Sequence, residues 1–166
     1  MEREWLIMMA NYGAWQNRSL IEASDTLTAD ALKKDRGAFF SSILGTFSHL
    51  LWGDHMWMSR FDGGAAPDVA ISDSATYIAD WDRFKQERSY TDARILNWAK
   101  SGDIGSSKSD LTWFSGAAGR EVSKPYRLIH THFFNHQTHH RGQIHKMLTE
   151  AGAKPRDTDL FLMPDQ

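Results

Sequence analysis

Six of the eight histidines of this 166-residue chain fall between positions 130 and 145. His130 and His132 lead into the stretch "FFNHQTHHRGQIHKMLTEAG", which carries His136, His139, His140 and His145. Imidazole titrates closest to neutral pH and is the commonest transition-metal ligand among side chains. On a helix, residues i and i+4 stand one above the other, so His136 and His140 have the spacing that presents two imidazoles to a single ion. The residue after His136 is Gln137, so the pair lacks the glutamate of the metalloprotease HExxH motif and that reaction class is unsupported.

The helix that carries the pair has a defined apolar side. With His132 at zero and about 100° per residue, Ile129, Phe133, Ile144, Met147, Leu148 and Ala151 fall between about 60° and 160°. His140 lies inside this arc and His136 at its edge, flanked by His132 and His139. Arg141 and His145 fall outside it, which places Arg141 on the exterior or at a dimer contact, with an anionic substrate group as the competing role. A buried imidazole must be neutral or paired, and a metal ion satisfies one ring nitrogen. Gln143, on the same side, is a candidate partner for the other nitrogen or for a ligand.

A metal centre needs at least a third ligand. The candidate is His49 in "TFSHLLWGDHMW". It lies among Ser42, Gly45, Thr46 and Gly53, whose small side chains would let a second helix approach closely. The same pattern also describes a polar face turned to solvent, and periodicity does not choose between them. Asp54 is either a partner of such a centre or a surface charge. Tyr12, Trp52 and Trp57 either line a pocket or belong to the core.

Four helical stretches must position these groups. Apolar spacing predicts helices over residues 4–23, 35–60 and 72–100, the last capped by Ser72 or Ser74. The second is apolar around most of its circumference, Phe39 and Phe40 included, and is therefore central. "FDGGAAPD" stops it. Residues 103–124 read as two short strands around the turn residues 116–119. The last helix spans 125–152, with Pro125 in its first turn and Gly152 at its end. The tail "DTDLFLMPDQ" holds four apolar residues, which are expected to pack back on the body. Four long helices and a hairpin point to an all-α helical bundle in a single domain, a fold that commonly holds metal sites between facing helices.

Composition narrows the function. Hydrophobic residues make up 41% and aromatic residues 12%, which is enough to build a core rather than a disordered chain. The formal net charge of -2 gives no reason to expect nucleic acid or an anionic membrane as partner. The absence of cysteine excludes a disulfide scaffold, a thiolate metal site and a cysteine nucleophile. No apolar leader and no run of about 18 apolar residues is present, so a cytoplasmic protein is expected.

"TFSHLLWGDHMW", followed far downstream by "HFFNHQTHHRGQIHKMLTEAG" and "DTDLFLMP", resembles the DinB family of damage-inducible metal-binding proteins, not the DNA polymerase that shares the label. "ANYGAWQNRSL" and "RSYTDARILNW" extend the resemblance over essentially the whole chain. The resemblance implies a four-helix bundle of up-down-down-up order, often assembled as a homodimer. It implies a divalent ion, nickel or zinc with iron as a further option, held by His49, His136 and His140. It also implies chemistry on small molecules with a low-molecular-weight thiol such as mycothiol, bacillithiol or glutathione as cosubstrate. A thiol S-transferase or hydrolase in detoxification or stress response is the leading expectation. Two other classes stay open: a metal- or ligand-binding stress protein without turnover, and a structural metal with the function at a dimer surface. An open pocket favours the enzyme and a closed four-ligand site the structural role.

Overall fold

The computed structural model describes residues 2–105, 109–116 and 118–165. The chain is mostly helical, with one small antiparallel hairpin. Four long helices dominate: α1 (Glu2–Ser24), α3 (Ile43–Asp62), α4 (Trp81–Ser101) and α5 (Tyr126–Glu150). A short α2 (Ala29–Lys33), capped by Thr28, follows α1 and was not expected from the sequence. Strands β1 (Asp110–Ser115) and β2 (Arg120–Pro125) pair with Asp110 opposite Pro125 and Ser115 opposite Arg120. Of the expected turn residues, position 117 lies outside the described residues.

Local chemistry sets the helix ends. Helix α3 begins at Ile43 rather than at 35, because the Ser42 hydroxyl accepts the Gly45 amide and Ser41 takes a left-handed φ of 61°. Phe39 and Phe40 therefore lie in the preceding turn, and Phe39 is exposed. Gly63, at φ 73°, ends α3 in the left-handed conformation glycine adopts without strain. Helix α4 starts at Trp81 because the Asp80 carboxylate accepts the Arg83 amide; Ser72 and Ser74 sit instead in a 3-10 turn, Ile71–Thr76. Pro125 precedes α5 as the last residue of β2.

Helices α1 and α3 each pack against both α4 and α5, which closes a ring of four. Two apolar clusters fill it. One gathers Leu20, Leu44, Phe47, Leu51, Phe84, Ile144 and Leu148; the other gathers Leu6, Met58, Phe61, Ile95, Trp98, Ile129 and Phe133. Helices α1 and α5 run from the second cluster to the first, and α3 and α4 run the opposite way. Each long helix also carries buried polar residues: Gln16 and Asn17, His49 and Asp54, Arg88 and Thr91, and Gln137, His140 and Arg141.

The C-terminal segment lies along α1. Tyr12 donates to the Thr158 carbonyl, Gln16 to the Asp157 carbonyl, and the Arg156 amide to Ser19. The segment does pack back on the body, but through these polar contacts: Leu160, Phe161 and Leu162 are 42%, 83% and 47% exposed, and Met163 is half-buried. No helix among the described residues is long and apolar enough to cross a membrane.

Candidate metal centre

His49, His136 and His140 meet where α3 faces α5. Each offers one ring nitrogen, and the three nitrogens lie within 4.8 Å of one another. The i, i+4 spacing stacks His136 and His140 on α5, with their Nε2 atoms 3.1 Å apart. Helix α3 closes on them because Gly53 has no side chain: a Cβ there would stand 3.0 Å from Cε1 of His136.

Hydrogen bonds fix which nitrogens are bare. Nδ1 of His49 lies 2.8 Å from Oγ of Ser74, and that hydroxyl already donates to the Ile71 carbonyl at 2.6 Å. Ser74 therefore accepts, His49 carries its proton on Nδ1, and its Nε2 keeps a lone pair. Nδ1 of His140 lies 2.8 Å from Oε1 of Gln143, an acceptor, so its Nε2 is bare as well. Nδ1 of His136 is buried with no hydrogen-bond partner.

All three rings are held neutral. Burial, then the proximity of His140 and His136, lowers the pKa of His49 to about 3. Burial, then His140, lowers that of His136 to about 4. Burial lowers that of His140 despite the opposing bond to Gln143. A neutral imidazole with a lone pair is the form that binds a metal.

The donor set fits such an ion. Two nitrogens bound about 2.0–2.1 Å from one ion sit about 3 Å apart, close to the His136–His140 spacing. Three imidazoles without a thiolate suit zinc, nickel, copper or iron, and three protein ligands leave a position open for water or a small molecule.

Around the triad, Phe40 stacks on His49 with centroids 3.8 Å apart and meets His140 edge-on at 5.5 Å. Trp52 lies near-parallel to His49 with centroids 6.2 Å apart, its indole N–H bonded to the Val69 carbonyl. His139 lies 5.0 Å from the His140 ring and His132 5.8 Å from the His136 ring. Trp57 packs edge-on against His132 and under Arg60. Phe40 and Ser74 carried no local signal, because their contacts to His49 depend on how distant turns fold back.

Two sequence expectations change. Asp54 is neither a surface charge nor one of the converging ligands: it is buried and bound by Arg88 and by the Gln137 amide. Arg141 is not on the exterior; it is 5% exposed, because α1 covers that side of α5. Tyr12 lies beside Arg141, whose guanidinium stands 5.6 Å from the ring centroid. His55, on another side of α3, is held between Tyr77 and Thr91, and burial, then the Arg88 charge, lowers its pKa to about 4.

Matches to known proteins place the whole chain in a family. The family model described as the DinB family matches residues 1–166. The chain is also 22% identical to "Protein DinB" of Bacillus subtilis (strain 168), over 96% of this chain and 94% of that protein. With the match spanning every element that carries the three histidines, the chain belongs to the DinB family.

Proposed function

We propose that His49, His136 and His140 hold one divalent transition-metal ion, and that the protein is a metal-dependent enzyme acting on a small molecule. The observation that carries the reading is the convergence of three neutral imidazoles, two with Nε2 bared by a hydrogen bond at Nδ1. A bound ion of this kind supplies Lewis acidity and lowers the pKa of a water or thiol at its open position. The protein's own groups do the rest. Ser74 and Gln143 fix the orientation and tautomer of two ligands. Phe40 and Trp52 wall His49 with apolar surface, which excludes water and keeps the rings unprotonated.

The family resemblance supports nickel or zinc as the ion, a low-molecular-weight thiol as cosubstrate in S-transfer, and a homodimer in the cytoplasm. It also supports reading the chain as a single up-down-down-up four-helix bundle, and the directions in which the four helices cross the two apolar clusters favour that order.

Elemental analysis of untagged protein tests the reading, with His49→Ala and His136→Ala beside it. About one nickel, zinc or iron per chain is expected, lost in both variants. Wild-type protein free of metal after incubation with nickel and zinc would overturn it. Loaded protein is then assayed for thiol-dependent turnover of electrophiles.

A further inference from the structure

A second site lies on the other flank of α5. Tyr12 and Gln16 of α1, Thr138, Arg141, Gly142, His145 and Lys146 of α5, and Thr158 of the C-terminal segment line a cavity of about 320 Å³. Its floor is unusual. Arg141 is 5% exposed, yet it makes no ion pair among the described residues, and its Nη1 is buried without a hydrogen-bond partner. Its hydrogen bond to Thr138 is a long one, 3.4 Å from Nη2 to Oγ1. Arg88 shows what this fold does with a guanidinium it pairs internally: Asp54 and Asp92 both meet it.

Asp54 and Asp92 favour the Arg141 charge from a distance, but both are paired with Arg88 and neither forms an ion pair with Arg141. Tyr12 offers a ring face, and its hydroxyl proton is already given to Thr158. Lys146 adds a second cation at the rim, bonded to the exposed Glu150. Nδ1 of His145 is also buried without a partner. A buried guanidinium keeps its charge and needs acceptors, and its planar fork matches the two oxygens of a carboxylate or phosphate.

We infer that this cavity binds a small oxyanion, a phosphate or carboxylate group, on Arg141, with Lys146 and His145 at its sides. The site is separate from the histidine triad: Arg141 and His145 fall outside the apolar arc that contains His140. It stands whether or not the triad holds a metal.

Gly142 gives a clean test. It lines the cavity, and a Cβ added there meets nothing within 4 Å. Gly142→Glu would therefore project a carboxylate into the cavity without disturbing the packed core. Calorimetric titration with inorganic phosphate, and separately with malonate, is run at fixed ionic strength on wild type, Gly142→Glu, Arg141→Gln and Lys146→Gln. Saturable binding of one probe is expected in wild type, and the preferred probe tells phosphate from carboxylate. Gly142→Glu and Arg141→Gln should weaken it about 10-fold or more, and Lys146→Gln less. Should Arg141→Gln fail to fold, the other two variants decide. No saturable binding of either probe, or unchanged affinity in folded Gly142→Glu, would overturn the assignment. Metal content should be the same in wild type and Gly142→Glu.

Discussion

Two polar clusters lie within the fold, and they solve burial in opposite ways. In the first, Arg88 binds both Asp54 and Asp92, with Gln137 donating to Asp54 and Asn17 to Asp92. Burial disfavours the Arg88 charge, but Asp92 and Asp54 outweigh it and raise its pKa overall. In the second, three imidazoles avoid charge altogether and bring one ring nitrogen each to a common point. A network of paired charges ties helices together; a cluster of converging neutral nitrogen donors calls for a cation from outside. The distinction separates a structural polar layer from a site, although both are buried and both are built on α3 and α5.

Breaking the first cluster should have the largest effect on stability. Arg88→Met leaves buried carboxylates without their cation and should destabilise the protein by about 3–5 kcal/mol, read by urea denaturation. His136→Phe should do the reverse. It should abolish metal binding while changing the stability of the metal-free protein by less than about 1.5 kcal/mol, since a near-isosteric apolar ring replaces a neutral one. A large stability loss in His136→Phe would make the triad a structural element like its neighbour.

The pH dependence sharpens the contrast. The histidine pKa values of about 3 for His49 and about 4 for His136 and His55 lie below the ordinary value of about 6.5. The unfolded chain therefore binds more protons in that window, so stability is full above about pH 6.5 and is lost as pH falls toward 4 and then 3. Denaturation of metal-free protein between pH 7 and 4 should show this loss, amounting to a few kcal/mol. His136→Phe should flatten the curve, whereas a curve unchanged in that variant would mean the ring is not held neutral by the fold.

Much of the site was legible in the sequence, and the reasons for the rest are physical. The pairing of His136 with His140 follows from helical spacing alone. His49 needed the family resemblance, because a row of small residues describes a solvent face and a close helix contact equally well. Arg141 was misplaced for a geometric reason. A helical wheel finds the apolar side of a helix but not how many neighbours cover it, and α5 is covered by both α1 and α3. The late starts of α3 and α4 were hidden because Ser42 and Asp80 cap helices inside stretches whose apolar spacing continues upstream.

Smaller changes should grade the triad. Ser74→Ala removes the acceptor that orients His49 and should weaken metal affinity by about 10- to 100-fold with little change in fold, measured by competition with a chelator. Gly53→Ala presses a methyl group against His136 and should lower affinity several-fold. Equal affinity in both variants and wild type would mean that His49 and His136 are not held as ligands by these contacts.

The most direct test of the central claim is X-ray absorption at the metal edge of nickel- or zinc-loaded protein. Three imidazole nitrogens at about 2.0–2.1 Å from a single ion are predicted, with no such imidazole-bound ion retained in His49→Ala. A shell of oxygens, or an imidazole count unchanged by His49→Ala, would contradict a centre built from His49, His136 and His140.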